Sequence, residues 1–173
     1  MVMSLSLQVK PRPRPSSPPS SRARALGFRR VLVAVVASSE SEQAVDVACR
    51  LASPRSSVIA LNVIEVPPLL PLDAYMRDEE AEGHRVGELA LALGESYGIT
   101  VVPRLVRARD AGAAIVAEAE AADCDLVVIG AERRPASRKS TFGLTVQHVL
   151  KHASCRVLVV GAACTTPGHN PVA

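Results

Sequence analysis

The chain predicts an α/β fold: a doubly wound sheet of five parallel strands in the order 3-2-1-4-5, covered by helices on both faces. Three observations predict it. Short apolar runs alternate with helix-period segments along the chain, which is the pattern of a parallel sheet with crossover helices. The runs around residues 31, 58, 126 and 156 are continuous rather than alternating, as in strands buried on both faces. The remaining run, near residue 100, alternates and holds Pro103, which cannot donate to a ladder and so belongs at an edge.

Each element follows in turn. Val31 to Val36 is an unbroken apolar strand, and Ser38, Ser39 and Ser41 offer caps for the helix after it. Ala44, Ala48 and Leu51 recur at helical spacing up to a break at Pro54. Val58 to Ile64 is the second strand, and Pro67, Pro68 and Pro71 force a loop beyond it. A long helix is expected over 73–96, with Val86, Ala90, Leu93 and Tyr97 as its buried stripe and Asp78, Glu79, Glu80 and Glu82 in solvent. The third strand covers 99–106. Asp110 then caps a helix that turns Ile115, Ala119 and Ala122 to one face. Leu126 to Ile129 is the fourth strand, ending at Gly130. A basic loop runs over 131–141, Gly143 opens the last helix, and Arg156 to Val160 is the fifth strand. Right-handed crossovers with the third strand at an edge give a flavodoxin-like order that reverses between strands one and four. Ligands of such sheets sit at that reversal, beyond the carboxyl ends of the strands, here residues 36–41 and 130–145.

Charge divides the chain unevenly. Residues 1–30 carry Lys10, Arg12, Arg14, Arg22, Arg24, Arg29 and Arg30 and no acid, whereas the other 143 residues carry thirteen Lys and Arg against seventeen Asp and Glu. Residues 1–28 therefore read as a disordered basic tail rich in Pro, Ser and Arg, 29–163 as one domain, and 164–173 as a frayed end. The tail has no apolar core region of a secretory signal; its Arg- and Ser-rich, acid-poor composition is that of an organellar transit segment, but its prolines break an amphipathic helix. The acidic body and an aromatic content of 2% argue against a nucleic-acid-binding domain, which needs a basic face or stacking platforms. No apolar run reaches the roughly 20 residues of a membrane span. The four cysteines, Cys49, Cys124, Cys155 and Cys164, form no C-x-x-C pair and read as reduced structural thiols of a cytoplasmic protein.

At the reversal, Gly130 allows close approach of a ligand to the backbone, and the amides of Gly143, Leu144 and Thr145 head a helix whose dipole favours an anion. Arg133, Arg134, Arg138 and Lys139 lie in the intervening loop, with hydroxyls at Ser137, Ser140 and Thr141. Together these make a phosphate cradle; a solvated basic loop before a well-capped helix is the simpler reading of the same residues.

The segments VLVAVVASSESEQAVDVACRLA, VIALNVIEVP, ADCDLVVIGA and FGLTVQHVLKHASCRVLVVGA resemble, in this order and over about residues 29–161, the universal stress protein family. The resemblance implies a five-stranded parallel sheet and a homodimer paired through the last strand. It also implies ATP or AMP as ligand, since many members hold ATP through the pattern G-x2-G-x9-G-[S/T]. On that pattern Gly130 and Gly143 match the first and third glycines, Arg133 takes the second, Leu144 takes the Ser/Thr place and Thr145 follows it. The family's ribose-binding aspartate corresponds to Val36, and the backbone contact to adenine corresponds to Val63. Three departures have chemical consequences: Arg133 gives up glycine's freedom but adds a cation, Leu144 loses a hydroxyl, and Val36 loses a carboxylate. VIEVPPLLPLDA and ARDAGAAIVAEA also resemble universal stress domains associated with amino-acid permeases, which implies a transport partner.

No nucleophile elbow, P-loop lysine or H-E-x-x-H motif occurs, and nothing places a base or a magnesium ligand, so no enzyme activity is expected. His148, His152 and Cys155 have metal-like spacing but read as helix-surface and strand-entry residues. Two functions remain. One is a stress-response regulator that binds an adenine nucleotide at the reversal. The other is an interaction or dimerisation module that has lost ATP binding.

Overall fold

A computed structural model describes residues 27–132 and 142–161. The basic tail and the frayed end expected from the sequence lie outside these residues, except that Gly27 and Phe28 already belong to the fold. The elements are β1 (Phe28–Ala34), α1 (Ser39–Leu51), β2 (Ala52–Glu65), α2 (Arg77–Tyr97), β3 (Thr100–Ala108), α3 (Ala111–Ala121), β4 (Leu126–Ala131), α4 (Leu144–His152) and β5 (Arg156–Gly161). All neighbouring strands pair in parallel, in the order β3-β2-β1-β4-β5. The expected topology is the observed one, with Pro103 on the β3 edge.

Strand alternation divides the core in two. Val31 and Val33 of β1, and Val35 just beyond it, face α1 and α2 together with Val58, Ala60 and Val128. Leu32 faces α3 and α4 with Ile59, Leu61, Val127 and Ile129. Val31, Leu32 and Val33 are wholly buried, so β1 is covered on both faces as its continuous apolar run requires.

The helix caps follow local chemistry. Ser38 caps α1 by accepting the Ser41 amide at 3.1 Å, and Asp110 caps α3 by accepting the Ala113 amide at 2.7 Å. Two expected boundaries shift. Helix α2 starts at Arg77 rather than near Asp73, because the prolines that open the loop are followed by turns up to Pro71 and beyond. Strand β2 starts at Ala52, directly after α1, and Pro54 lies in an irregular stretch of the strand instead of a helix-ending loop.

The buried stripe of α2 also differs from the expected one. Gly83, Val86, Gly87, Ala90 and Gly94 face the sheet, while Tyr97 stays on the surface. The small residues let the helix axis come close. A methyl on Gly83 would lie 2.5 Å from Leu105 Cδ1 and 2.7 Å from Asn62 Oδ1, and one on Gly94 would strike Val101 and sit 3.0 Å from the Ile99 carbonyl. Tyr97 instead donates to Asp46 on α1, where Arg50 also binds at 2.8 Å, and this three-residue cluster ties α1 to α2. Tyr97 and Arg50 together hold the Asp46 carboxyl below its usual range.

Gly94→Ala sets helix propensity against packing. Alanine favours the helix by up to about 1 kcal/mol, but overpacking costs about 1–3 kcal/mol and should win. Urea denaturation should show a net loss; a gain would mean that α2 can move away from β3 freely.

Candidate functional site

The reversal of strand order places a cavity of about 410 Å³ between the carboxyl ends of β1, β2 and β4 and the first turns of α3 and α4. One local junction shapes it. The chain leaves β1 at Val35, whose amide donates to the Leu61 carbonyl at 2.9 Å and whose carbonyl accepts Asn62 Nδ2 at 2.8 Å. The Val36 amide then donates to Ser41 Oγ at 2.9 Å. Ser41 is buried, and its amide is held by Ser38, so the two serines fix the turn into α1 from both sides.

Gly130 meets that turn. A methyl placed on it would lie 2.5 Å from the Glu40 carbonyl oxygen and 2.8 Å from the Ser41 amide nitrogen. Gly130 lines the cavity, but the backbone that comes closest to it is the first turn of α1. Close approach was the right reason for a glycine here; the protein's own helix is what approaches.

The other expected site residues separate. Val36, Val63, Gly143 and Thr145 line the same cavity as Gly130. Gly143 has φ −64 and ψ 166, an extended conformation open to any residue, and caps α4 without a side-chain bond. Leu144 is not part of the cavity wall; its side chain is 80% exposed. Arg133 falls outside the described residues, as do Arg134, Arg138, Lys139 and the loop hydroxyls at 137, 140 and 141.

Two acidic wall residues were not foreseen. Glu65 ends β2 and accepts the Ala111 amide at 2.8 Å, so together with Asp110 it occupies the amino terminus of α3. Glu132 follows β4 on the same wall. The charged side chains among the described wall residues are thus both negative. The sequence signal for Glu65 was its place two residues beyond Val63 on the same strand face. Across the top of β3, the Arg109 guanidinium binds the carbonyls of Val66 (3.0 Å), Pro67 and Leu70 (2.6 Å), which pins the proline-rich loop beside the cavity.

Thiol and imidazole chemistry lies elsewhere. Burial pushes the Cys124 thiol up to about 11 and raises Cys49 and Cys155 as well, so these groups stay protonated near neutral pH. His148 and His152 stack with ring centres 4.2 Å apart, and among the described residues no three His, Cys, Asp or Glu side chains come together as a metal site. No helix of the described residues is long and apolar enough to cross a membrane.

Comparison with known proteins agrees with this geometry. The universal stress protein family pattern matches residues 27–161, and the chain belongs to that family. No curated protein sequence matches the chain. Among solved structures, a universal stress protein from Archaeoglobus fulgidus superposes with a TM-score of 0.63 at 19% identity, covering 78% of this chain and 94% of that one. The same source provides a complex with dAMP, at TM-score 0.62 and 18% identity, covering 77% of this chain and 98% of that one. A family member from Burkholderia pseudomallei superposes at 0.59 with 24% identity, covering 77% and 96%.

Gly130→Ala should lower stability by about 1–3 kcal/mol in the ligand-free protein, because the clash is with the backbone of α1. Chemical denaturation without nucleotide checks this. An unchanged midpoint would return Gly130 to a purely ligand-facing role.

Proposed function

We propose that this domain is a regulatory binding module that takes an adenine nucleotide, AMP or ATP, in the cavity at the strand reversal, and acts by changing partner affinity rather than by catalysis. The observation that carries the reading is the convergence of Val63, Gly130, Gly143 and Thr145 on one cavity at the amino terminus of α4. Its volume, about 410 Å³, lies in the usual range for small-molecule sites. Backbone amides at a helix start suit a phosphate. Solved relatives hold dAMP, cAMP and AMP, which supports the ligand class.

Charge refines the proposal. Glu65 and Glu132 repel a polyphosphate, so the described walls favour the nucleoside and a single phosphate. Metal-free ATP should therefore bind less well than AMP, and magnesium should narrow the gap. Val36 lies on the wall with its side chain 56% exposed, where a carboxylate would have room to meet ribose hydroxyls.

A second reading has its own support. Leu69, Leu70, Leu72 and Tyr75 are exposed on the loop that Arg109 pins, and an ordered apolar loop suits a protein partner. We further propose pairing of two copies through β5, an outer strand that has a neighbour on one side only among the described residues and carries half-buried Val157 to Val160.

Thermal melting against AMP, ADP, ATP and cyclic AMP tests the first reading. A ligand at 100 times its dissociation constant adds about 2.7 kcal/mol to the folded state. Val36→Asp should tighten AMP binding. A flat response to every nucleotide, unchanged in Val36→Asp, would leave the interaction module as the function. For the β5 pairing, Val159→Asp should convert a dimer to a monomer in sedimentation; a monomeric parent protein would end that proposal.

A further inference from the structure

The opposite end of the sheet carries a second cavity, larger and polar, with no part in the nucleotide reading. It opens where β2 departs from regular pairing with β1. Phe28 pairs with Ala52 and Arg30 with Ser57, so β1 advances two residues while β2 advances five. The three extra residues of β2 are pushed out of the ladder. Bulges of this kind re-aim side chains, and they occur often beside functional sites.

The extruded segment is held in place. Gly27 packs against it so closely that a methyl on Gly27 would lie 2.7 Å from Ser53 Cα. Arg55 has φ 71, in the left-handed region that a residue with a side chain adopts at a cost. Ser56 turns inward and is only 8% exposed. Among the described residues, its hydroxyl is the one buried side-chain polar atom with no hydrogen-bond partner. An unpaired buried hydroxyl is costly, and native proteins seldom keep one without a reason.

Ser56 lies on the wall of this cavity, about 720 Å³ in volume. Arg29, Arg30 and Arg55 are on the same wall, with the single carboxylate of Asp125. Both Asp125 oxygens accept main-chain amides, of Arg29 at 3.0 Å and Arg30 at 3.1 Å. Three arginines thus line a cleft whose one carboxylate is already bound to the backbone, and the Arg30 guanidinium also lies 3.8 Å from the exposed Asp123 carboxylate. Hydroxyls of Ser53, Ser57 and Thr100 complete the lining. Helix carboxyl ends at this side of the sheet would by themselves favour cations. That accounts for arginines but not for the unpaired Ser56 hydroxyl beside them.

We propose that this cleft is a second ligand site, which takes the phosphate group of a small polar phosphomonoester between Arg29, Arg30 and Arg55 with Ser56 as a further hydrogen-bond partner. Guanidinium forks match phosphate oxygens, and the remaining volume and hydroxyls suit a polyol attached to the phosphate. The proposal does not depend on nucleotide binding at the other end.

The test uses the full chain, labelled with nitrogen-15 and titrated separately with inorganic phosphate and glucose 6-phosphate at constant ionic strength. Saturable shifts are expected in the amides of residues 53–57 and 29–30, with the sugar phosphate binding more tightly. Equal affinity for the two probes would assign the site to free phosphate, within the same chemistry. Arg55→Gly keeps the left-handed backbone and removes the guanidinium; it should weaken binding about tenfold without lowering the melting temperature. Ser56→Ala separates a site from a packing defect. It should raise the melting temperature of the free protein yet weaken phosphate binding. No saturable shift, shifts confined to Gly130 and Thr145, or affinity unchanged in both variants would overturn the proposal.

Discussion

The contact between Gly130 and the first turn of α1 governs the geometry of the functional end. Strand β4 and helix α1 come together there with no side chain between them, and a methyl would already be too close to the Glu40 carbonyl. The approach is possible because Ser38 and Ser41 hold the turn after β1 tightly. The same turn borders the cavity, whose wall includes Ser41 as well as Gly130. The constraint is steric and belongs to the unliganded fold. A glycine that looks like a ligand-binding signature is thus first a packing requirement, and ligand access follows from it.

Legibility in the sequence tracked the kind of physics involved. Strand order was readable because burial on both faces leaves a continuous apolar run, and because Pro103 marks an edge. The caps at Ser38 and Asp110 were readable because they are local chemistry. The face of α2 was legible in part: Val86 and Ala90 are buried and Leu93 packs partly buried against the core, but Tyr97 stays on the surface and close approach to the sheet selects Gly83, Gly87 and Gly94 as well. Glycine carries no hydropathy signal, so a packing stripe built from it is invisible to a period search. Of the switch-point residues, Val36, Val63, Gly130, Gly143 and Thr145 do share a cavity, Leu144 faces away from it, and Arg133 lies outside the described residues. Glu65 escaped notice because its partner, the Ala111 amide, is 46 residues away along the chain.

Membership of the family and the chemistry of this particular site are separate matters. The fold supplies the cavity, the amides at the start of α4 and the backbone of β2, none of which depends on side-chain identity. Side chains supply discrimination. Here they place Val36 where the resemblance leads one to look for an aspartate, and set Glu65 and Glu132 on the described walls. A carboxylate moved from the end of β1 to the end of β2 does not perform the same task, because Glu65 already spends one oxygen on the α3 terminus. The acidic charge of the described wall is therefore partly structural.

The described walls of the two cavities differ in sign, and the central strand β1 lies between them. Strand β1 joins them through Val31, Leu32 and Val33, which are fully buried and paired on both sides. An interior this closely packed holds the ends apart and shields little charge of its own, so each end sets its local field. At the carboxyl end the described cavity wall is acidic. At the amino end Arg29, Arg30 and Arg55 make it basic, and the chain enters the fold there from a segment that carries Lys10, Arg12, Arg14, Arg22 and Arg24. The irregular start of β2 is consistent with that division: the strand is regular where it must support the core and departs from the ladder only at the basic pole.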